Sequence, residues 1–445
     1  MIDRLLGAAR SKTDGGGADA LWRREERTSI ALESGRLKSA AITEEAGVNL
    51  RVLAGGRMGV AGTTAAAPDL EELVARARAS AELGEHVDLA FPPTSPLPHV
   101  STFFDRAADA SLDQLIALGR GLVERLAREG CQVNVTIERV VGETAVGNTA
   151  GARGGYQETG VDVTAGIIRI AADDVLMIYD QHVGADLPTD GDLDALVRSI
   201  EMRLEPALTI VSPPEGALPV VFTPVGLGAV VLPLEHALSG KSVLQGSSPL
   251  AERIGEQAFD ERLSITDDPL APGGPASRPL DDECVPSART VLVERGVVRG
   301  YVYDLETAAR AKARSTGHGR RGIFGKPQVR YTNLIVGEGP IDVGAQHAAP
   351  LLGGGLISDV PDGLIVDDLI GVGQGNVIGG GFSHPVALAY RVQRGEITGR
   401  VKDAAVAGNV YDLLKSIAGF GSDGRWLGSR WFPSVRLDGV SVARR

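Results

Sequence analysis

The residues of this sequence best suited to chemistry are carboxylates and arginines in its second half. Two acidic groups, Asp267-Asp268-Pro269 and Asp281-Asp282-Glu283, lie on either side of a turn rich in glycine and proline. Carboxylates on loops bind hard cations such as Ca²⁺ or Mg²⁺. Asp side chains also cap turns and pair with arginines. We favour this structural role, with Arg289, Arg320 or Arg321 as the partners.

A polar loop with spaced glycines follows the basic segment that ends at Arg314. Its backbone donors and two arginines could hold a carboxylate or an extended peptide. The loop could equally fasten the acidic turns inside the fold, and both interpretations stay open. His318 lies in the same loop. The candidate substrate-binding residues are Ser315, Thr316, Gly317, Arg320, Arg321, Asp267 and Asp268.

Gly240-Lys241-Ser242 resembles the end of a phosphate-binding loop but lacks its beginning. The motif requires a glycine at the position of Glu235. A carboxylate there would repel the phosphate that the backbone amides should hold. We therefore expect a helix that ends here, with Gly240 just beyond its last turn, and no nucleotide site.

A catalytic zinc helix needs two histidines on one face and a glutamate that activates the zinc-bound water. The chain offers Glu235-His236, with no second histidine at a matching spacing. Cys131 and Cys284 form no ligand-like pair. A nucleophilic role for Cys284 would need a neighbouring base and a lowered pKa. We expect Cys284 to be a small, partly buried side chain.

Charge and composition argue against several functional classes. The chain has 57 acidic and 45 basic residues, a net charge of −12. Proteins that bind duplexes display a basic stripe, so we expect no nucleic-acid partner. The apolar stretch 216–234 is interrupted by prolines, which argues against a membrane span. Without a signal sequence or a disulfide framework, we expect a cytoplasmic protein.

Hydrophobic periodicity organises the first half. Apolar residues at helical spacing predict helices at 111–129, 69–83 and 193–204, and the chain opens with a helix-like segment. Ser111 can cap the first of these, and Gly130 should end it. Three short strands of an antiparallel meander are predicted at Thr28 to Glu33, Leu37 to Thr43 and Val48 to Leu53.

The second half has a different character. We expect a strand at 219–222, a helix at 229–238, many short strands between glycine-rich turns, and a helix near 410–417. The sequence therefore predicts an α+β protein. An N-terminal α/β domain with an antiparallel sheet covers 1–212, and a β-rich C-terminal domain covers 213–445.

The order of motifs in the second half is similar to that of the TldD/PmbA family. The resemblance extends from about Pro219 to the C-terminus, and the first half fits the family's more variable N-terminal domain. The motifs that carry it are Gly246-Ser247-Ser248, Ile254-Gly255-Glu256, Ile265 to Pro269, Asp281-Asp282-Glu283, Thr307-Ala308, Ser315-Thr316-Gly317, Arg320-Arg321, Asn333 and Ala407-Gly408-Asn409. Cys284 stands where a glycine usually follows the acidic triplet.

The resemblance implies a paired cytosolic protease. TldD-type chains carry an HExxxH helix and a C-terminal cysteine that form a zinc site, whereas PmbA-type (TldE) chains lack the site and form the other half of a heterodimer. Here the first motif histidine falls on Val231 and the glutamate on Leu232, and only His236 fills a ligand position. The region 421–433 contains no cysteine. We therefore expect the PmbA branch.

The leading hypothesis is a subunit without its own zinc or other cofactor, paired with a TldD-like zinc peptidase that acts on small, unfolded peptides. The loops around Asp267, Ser315 to Arg321 and Gly353 to Gly355 are its candidate substrate-facing positions. The chain alone could form a homodimer. One alternative is a self-sufficient hydrolase that uses His236, His318 or Cys284. Another is a regulatory binding protein, in keeping with the family's older label, modulator of DNA gyrase.

Overall fold

A computed structural model of the protein describes residues 1–10, 12–13, 16–171, 174–338, 352–353 and 355–445. Strands account for 42% of the structure and helices for 22%. The antiparallel sheet lies in the N-terminal region and the C-terminal region is rich in strands. The predicted α+β class is confirmed.

The first half contains one six-stranded antiparallel sheet, in which the strand order is β3-β2-β1-β4-β5-β6. The predicted meander is present, but its second and third strands are one. They form β2, because residues 44–47 stay paired with β1 although they carry few apolar side chains. The strands are β1 (Gly17–Glu33), β2 (Arg36–Ala54), β3 (Arg57–Thr63), β4 (Cys131–Asn148), β5 (Arg153–Ala171) and β6 (Asp174–Gly184).

The helices of this half cover the sheet. Those of the N-terminal end bury Leu5 and Leu73 against Leu50 of β2. The helix capped by Ser111 begins as predicted, with a reciprocal Ser111–Gln114 capping box. It ends at Leu126, before Gly130, because Ala127 leaves the helical conformation. The helices are α1 (Ile2–Arg10), α2 (Leu70–Glu82), α3 (Asp105–Ala108), α4 (Leu112–Leu126) and α5 (Asp190–Ala207).

The second half has short strands, as predicted, and few helices. The strands are β7 (Ile210–Val211), β8 (Gly216–Phe222), β9 (Ser264–Asp267), β10 (Thr290–Glu294), β11 (Val297–Val298), β12 (Gly319–Arg320), β13 (Gln328–Val329), β14 (Leu334–Gly337), β15 (Asp362–Leu369), β16 (Gly381–Gln393), β17 (Glu396–Val401), β18 (Ala404–Asn409), β19 (Ile417–Phe420), β20 (Arg425–Leu427), β21 (Arg430–Phe432) and β22 (Val435–Arg444). The helices are α6 (Pro224–Ala237), α7 (Gly240–Leu244), α8 (Leu305–Ala311) and α9 (Val410–Leu413), with a 3₁₀ turn at Val377–Gly379.

The larger sheet of this half closes on itself. Strand β16 pairs with both β15 and β18, and β8 and β22 complete a ring of order β15-β8-β22-β18-β16. A second sheet has the order β11-β10-β9-β14-β21-β20. Between the two sheets lies α6, and its residues share a core with Phe222, Ile265 and Phe432.

Three predicted helix boundaries in this half are wrong. The helix expected at 229–238 begins earlier, at Pro224, because Thr223 caps it. The helix expected near 410–417 is a single turn, α9, because Ile417 already pairs with Leu437 in β19. Gly240 does not follow the end of a helix but begins α7. Its amide donates to the carbonyl of Val302, and a Cβ there would lie 2.2 Å from the Tyr303 ring. Gly240 is thus required by close packing.

The cores of the two halves are continuous. Ile137 of β4 belongs to the same buried cluster as Val221, Ile365 and Tyr390 of the closed sheet. The division into 1–212 and 213–445 stays a prediction. Among the described residues, no helix is long and apolar enough to cross a membrane.

Candidate functional site

Helix α6 has one face in the core and one face on a groove. Thr223 caps its N-terminus by accepting a hydrogen bond from the amide of Gly226, and Pro224 occupies the first turn, where its missing N–H costs nothing. The core face is formed by Leu227, Val230, Val231 and Leu234, all at most 2% exposed. The helix is therefore fixed in rotation by burial, and this decides which side chains reach the groove.

We call the surface beside this helix the α6 groove. It consists of two adjoining compartments that share Leu232, Glu235 and Arg430. The apolar compartment, about 440 Å³, is lined by Tyr179, Val372, Leu427 and Phe432 among others. The cationic compartment, about 630 Å³, is lined by His236, Lys241, Arg330 and Tyr331 among others.

A bidentate ion pair lies between the compartments. The Nε and Nη2 atoms of Arg430 donate to the two carboxylate oxygens of Glu235 at 2.5 and 2.7 Å. The Tyr331 hydroxyl donates to the backbone carbonyl of Glu235 at 2.8 Å. Burial, and next the Glu235 carboxylate, raise the pKa of the Tyr331 hydroxyl well above its usual value. The Arg430–Glu235 ion pair holds strand β21 against α6.

The donors on α6 do not fit a zinc ion. At the position of the first motif histidine, Val231 is 2% exposed and packs in the core. Leu232 lines the groove but offers no lone pair, and His236 is exposed without a second ligand beside it. Within the described ranges, no group of three or more His, Cys, Asp or Glu side chains could hold a metal. The arrangement provides a groove without a metal-ligand set.

The predicted substrate-binding arginines lie in a buried network that we call the ionic clasp. It joins Asp281, Asp282 and Glu283 to the loop 319–321 and to strands β1 and β2. Asp282 accepts from the amide of Arg321 and from Nη2 of Arg23, both at 2.8 Å. Arg320 approaches the same carboxylate at 3.4 Å. Asp282 therefore brings together its own loop, the segment 320–321 and Arg23 of β1, which are far apart in sequence.

Arg51 occupies the centre of the clasp and is fully buried together with its two acids. It forms a fork with Asp19 and donates to Glu283 at 2.6 Å. Nη1 of Arg321 also donates to Asp19, at 2.8 Å to the Oδ1 atom that accepts from Nε of Arg51. Burial opposes the charge on Arg51, but Asp19 and Glu283 outweigh it and raise the pKa of the guanidinium. The clasp is thus an alternating array of cations and anions.

Arginines and a backbone amide stabilise the ionised form of Asp282. Burial alone would raise its pKa, but Arg320, Arg23 and Arg278 and the amide of Arg321 outweigh burial and lower the pKa to about 2. Of the expected partners, the Arg320 guanidinium pairs with Asp282, whereas Arg321 donates only its backbone amide to Asp282 and pairs its guanidinium with Asp19. Arg289, the third expected partner, is exposed and forms no such pair among the described residues.

Asp267 and the loop around His318 form a second buried contact. His318 is fully buried, and its Nε2 lies 3.0 Å from Asp267 while Nδ1 lies 2.8 Å from the Thr316 hydroxyl. Asp267 also accepts from the amide and the hydroxyl of Thr332. Both ring nitrogens of His318 are therefore engaged within the fold.

The remaining predicted residues shape turns. Asp268 accepts from the amide of Leu270 at 2.9 Å, as an Asx turn does. The Ser315 hydroxyl lies 3.3 Å from the carbonyl of Tyr303, and Gly317 has a positive φ of +76°. The structure brings these residues together, and contact between them and a substrate stays a prediction. The triplet from Gly353 to Gly355 includes Gly354, which lies outside the described residues.

Cys284 is 3% exposed, with Leu21, Val146 and Leu280 around it. Its φ is +66°, in the left-handed region that favours glycine. Burial, and next the charges of Asp19 and Asp281, raise the pKa of the Cys284 thiol. The thiol is therefore held in its protonated, unreactive form.

Sequence reasoning missed the clasp residues from the first half and the cations of the groove. Asp19 and Arg51 each stand within apolar strand segments, and a charge in such a position indicates a buried partner. That signal was present, but the identity of the partner depends on strand pairing. Lys241 drew attention only as part of an incomplete phosphate-binding motif, and Arg330 has no local signal, because both are brought to the groove by the tertiary fold.

Residues 215–444 match the PmbA/TldA metallopeptidase C-terminal domain, and residues 18–81 match the PmbA/TldA metallopeptidase domain 1. A metalloprotease of Methanothermobacter thermautotrophicus is 33% identical over 235 residues, which cover 53% of this chain and 49% of that protein. A metalloprotease TldD homologue of Haemophilus influenzae is 30% identical over 236 residues, 52% of this chain and 46% of that protein. The chain spans about half the length of the curated relatives it matches.

Two crystal structures resemble the whole chain. One is TldE from Thermococcus kodakarensis, with a TM-score of 0.87, 22% identity and coverage of 99% of both chains. The other is a Thermotoga maritima protein described as a candidate modulator of a DNA gyrase, with a TM-score of 0.87, 24% identity and the same coverage. At these identities the similarity concerns the fold.

Proposed function

Because the chain belongs to the PmbA/TldA metallopeptidase family, we propose that it is the TldE-type subunit of a cytosolic metalloprotease that acts on small, unfolded peptides. In this proposal the chain has no zinc centre of its own. A TldD-like partner supplies the zinc and the catalytic glutamate, and this chain supplies binding surface.

The observation that carries the proposal is the composition of α6. The two positions that would need a histidine and a glutamate hold Val231 and Leu232. Val231 faces the core and Leu232 faces the groove. A zinc peptidase needs its ligands and its general base to converge on one open site. Helix α6 supports a binding role rather than hydrolysis.

The proposed binding mode is addition of an extended peptide to a strand edge. Strand β6 is outermost in the N-terminal sheet and pairs with β5 alone within the described part of the chain. Tyr179, Asp180 and Gln181 of β6 line the apolar compartment of the α6 groove. A peptide held there would pass directly over α6.

The alternative of a self-sufficient hydrolase has less support. Both ring nitrogens of His318 are engaged at 0% exposure. Burial raises the pKa of the Cys284 thiol, so a thiolate is disfavoured. His236 is exposed but lacks the second ligand or neighbouring base that hydrolysis needs.

Peptide cleavage by this chain, by its TldD-like relative and by the two co-expressed tests the proposal. An unstructured fluorogenic peptide is the substrate, and each preparation is assayed with and without a zinc chelator. We expect the lone chain to be inert and the pair to cleave in a chelator-sensitive manner. Cleavage by the lone chain that His236→Ala abolishes would favour the hydrolase. Recovery of a topoisomerase but no TldD-like chain in a pull-down would favour the regulatory alternative.

A further inference from the structure

The cationic compartment of the α6 groove contains positive charges without partners. Lys241 and Arg330 are exposed and line the compartment. Neither forms an ion pair in the part of the chain that the structure describes. Most of the other lysines and arginines that lie near acids form ion pairs with them. The chain as a whole is acidic, with a net charge of −12. Two unpaired cations in one concavity therefore stand out against an acidic protein.

Acids within the groove do not cancel this charge. Glu235 is the acid of the cationic compartment, and its two oxygens are occupied by Arg430. In the apolar compartment Asp180 is 4% exposed and pairs with Arg203 at 2.9 Å and with Arg425. Arg425 and Arg203 also lower the pKa of Asp180, against the opposing effect of burial. The net field in the groove is positive.

The apolar compartment adds a second element of recognition. Tyr179 and Val372 are 38% and 39% exposed and line this compartment together, and a cluster of exposed apolar side chains is a feature of binding surfaces. Leu232, Leu427 and Phe432 complete the wall. The two compartments meet at Leu232 and the Glu235–Arg430 pair, so a ligand that fills both must carry apolar and anionic groups close together.

We propose that the α6 groove binds an acidic peptide segment, with an apolar side chain in the apolar compartment and a neighbouring carboxylate beside Lys241 and Arg330. This inference rests on the proposed function and specifies its substrate class. A carboxylate gains charge-assisted hydrogen bonds from both cations. The apolar side chain loses contact with water against Tyr179 and Leu427. The phosphates of a nucleic acid could pair with the cations, but a nucleic acid has no aliphatic side chain to fill the apolar compartment.

Fluorescence anisotropy with the full-length lone chain tests the inference without requiring cleavage. The probe is an unstructured, labelled peptide that alternates leucine with glutamate, and its control replaces each glutamate by glutamine. We expect the acidic peptide to bind at least about 10-fold more tightly, equivalent to 1.4 kcal/mol. The preference should weaken as salt is raised, because exposed charges are screened.

Charge reversal within the groove locates the site. We expect Lys241→Glu and Arg330→Glu each to weaken the acidic peptide by about 10-fold or more and to leave the glutamine peptide unchanged. Arg36→Glu is the matched control, because Arg36 is exposed on β2 and does not line the groove. It changes the net charge equally and should not alter binding. Thermal unfolding of each variant checks that the fold is retained.

Each outcome separates this inference from the proposed function. Equal affinity for the acidic and glutamine peptides, or equal losses in Arg36→Glu and Lys241→Glu, overturns the acidic-peptide inference even if the pair cleaves peptides. Selective binding by a lone chain whose pair never cleaves overturns the proposed function and leaves the groove assignment standing. Equal binding of a single-stranded oligonucleotide, lost in Lys241→Glu, would identify a general polyanion site and contradict the peptide assignment.

Discussion

The ionic clasp and the α6 groove both contain clusters of charged residues, but they treat charge in opposite ways. In the clasp, Arg51 and its acids are fully buried and alternate in sign. In the groove, Lys241 and Arg330 are exposed and unpaired among the described residues. Buried, paired charges fix a structure and are costly to disturb. Exposed, unpaired charges cost the fold little and remain available to a ligand.

The comparison changes the meaning of the motifs that first drew attention. The acidic triplet looked suited to a cation and the Arg320-Arg321 pair to substrate binding, yet their side chains contact one another and strands β1 and β2. Of the groove cations, Lys241 belongs only to an incomplete phosphate-binding motif and Arg330 to no motif. A role for the clasp in substrate contact stays a prediction. Its evident contribution is to fasten the acidic loop of the second half to the sheet of the first.

The largest effect should come from removing the central cation of the clasp. We expect Arg51→Met to lower the free energy of unfolding by about 3 to 5 kcal/mol, because Asp19 would keep a buried charge and Glu283 a buried carboxyl group without their shared partner. Urea unfolding measures the change. Arg24→Met is the control, since the Arg24–Glu44 pair is about half exposed on the same sheet. A change of less than about 1 kcal/mol in Arg51→Met would contradict the buried network.

A smaller loss, on the order of 3 kcal/mol near neutral pH, is expected for Asp282→Asn. The carboxylate has a folded pKa of about 2 against a usual value of 3.8. A lowered pKa means that its stabilisation is present above about pH 4 and is lost as the pH falls toward 2. The difference between wild type and variant should therefore shrink across this range. A difference that is constant from pH 7 to pH 2.5 would rule out an ionised Asp282 as its source.

Substitutions of Cys284 test the left-handed backbone at this position, with an expected difference in stability of about 1 kcal/mol. At an ordinary position alanine is at least as favourable as glycine, but a left-handed φ of +66° reverses the order. We expect Cys284→Gly to be more stable than Cys284→Ala by about 1 kcal/mol. Both variants should leave peptide cleavage by the pair unchanged. Loss of cleavage in Cys284→Ala would instead support a nucleophilic thiol.

The smallest effect on stability is expected in the groove. Lys241→Ala and Arg330→Ala should each change the free energy of unfolding by less than about 0.5 kcal/mol, because both side chains are exposed and neither is paired with any residue that the structure describes. Urea unfolding beside Arg51→Met makes the contrast between the two regions direct. A loss above about 2 kcal/mol would mean that these cations serve the fold, as the clasp cations do.

Local rules predicted the local features of this protein. The start of α4 at Ser111 and the hairpin turn at Ser34-Gly35 depend on a cap and on positive φ angles, which neighbouring residues specify. The continuity of β2 through 44–47 was not predictable in this way, because pairing with β1 rather than β propensity keeps that segment extended.

The sites depended on long-range contacts and were accordingly harder to predict. The pairing of Arg320 with the acidic triplet was predicted correctly, because opposite charges on neighbouring loops attract. The side chain of Arg321 pairs with Asp19 instead. The connection of these loops to Asp19 and Arg51 required the register of β1 and β2. Similarly, α6 could be recognised as a helix, but the exposure of Leu232 and the burial of Val231 follow from packing against both sheets.

The most direct test of the central claim is to locate the zinc. Native mass spectrometry of this chain, of its TldD-like relative and of the assembled pair measures metal bound to each. We expect zinc in the relative and in the pair, and none in this chain at equal zinc exposure. Stoichiometric zinc in the lone chain, lost in His236→Ala, would contradict the assignment of a subunit without a metal centre.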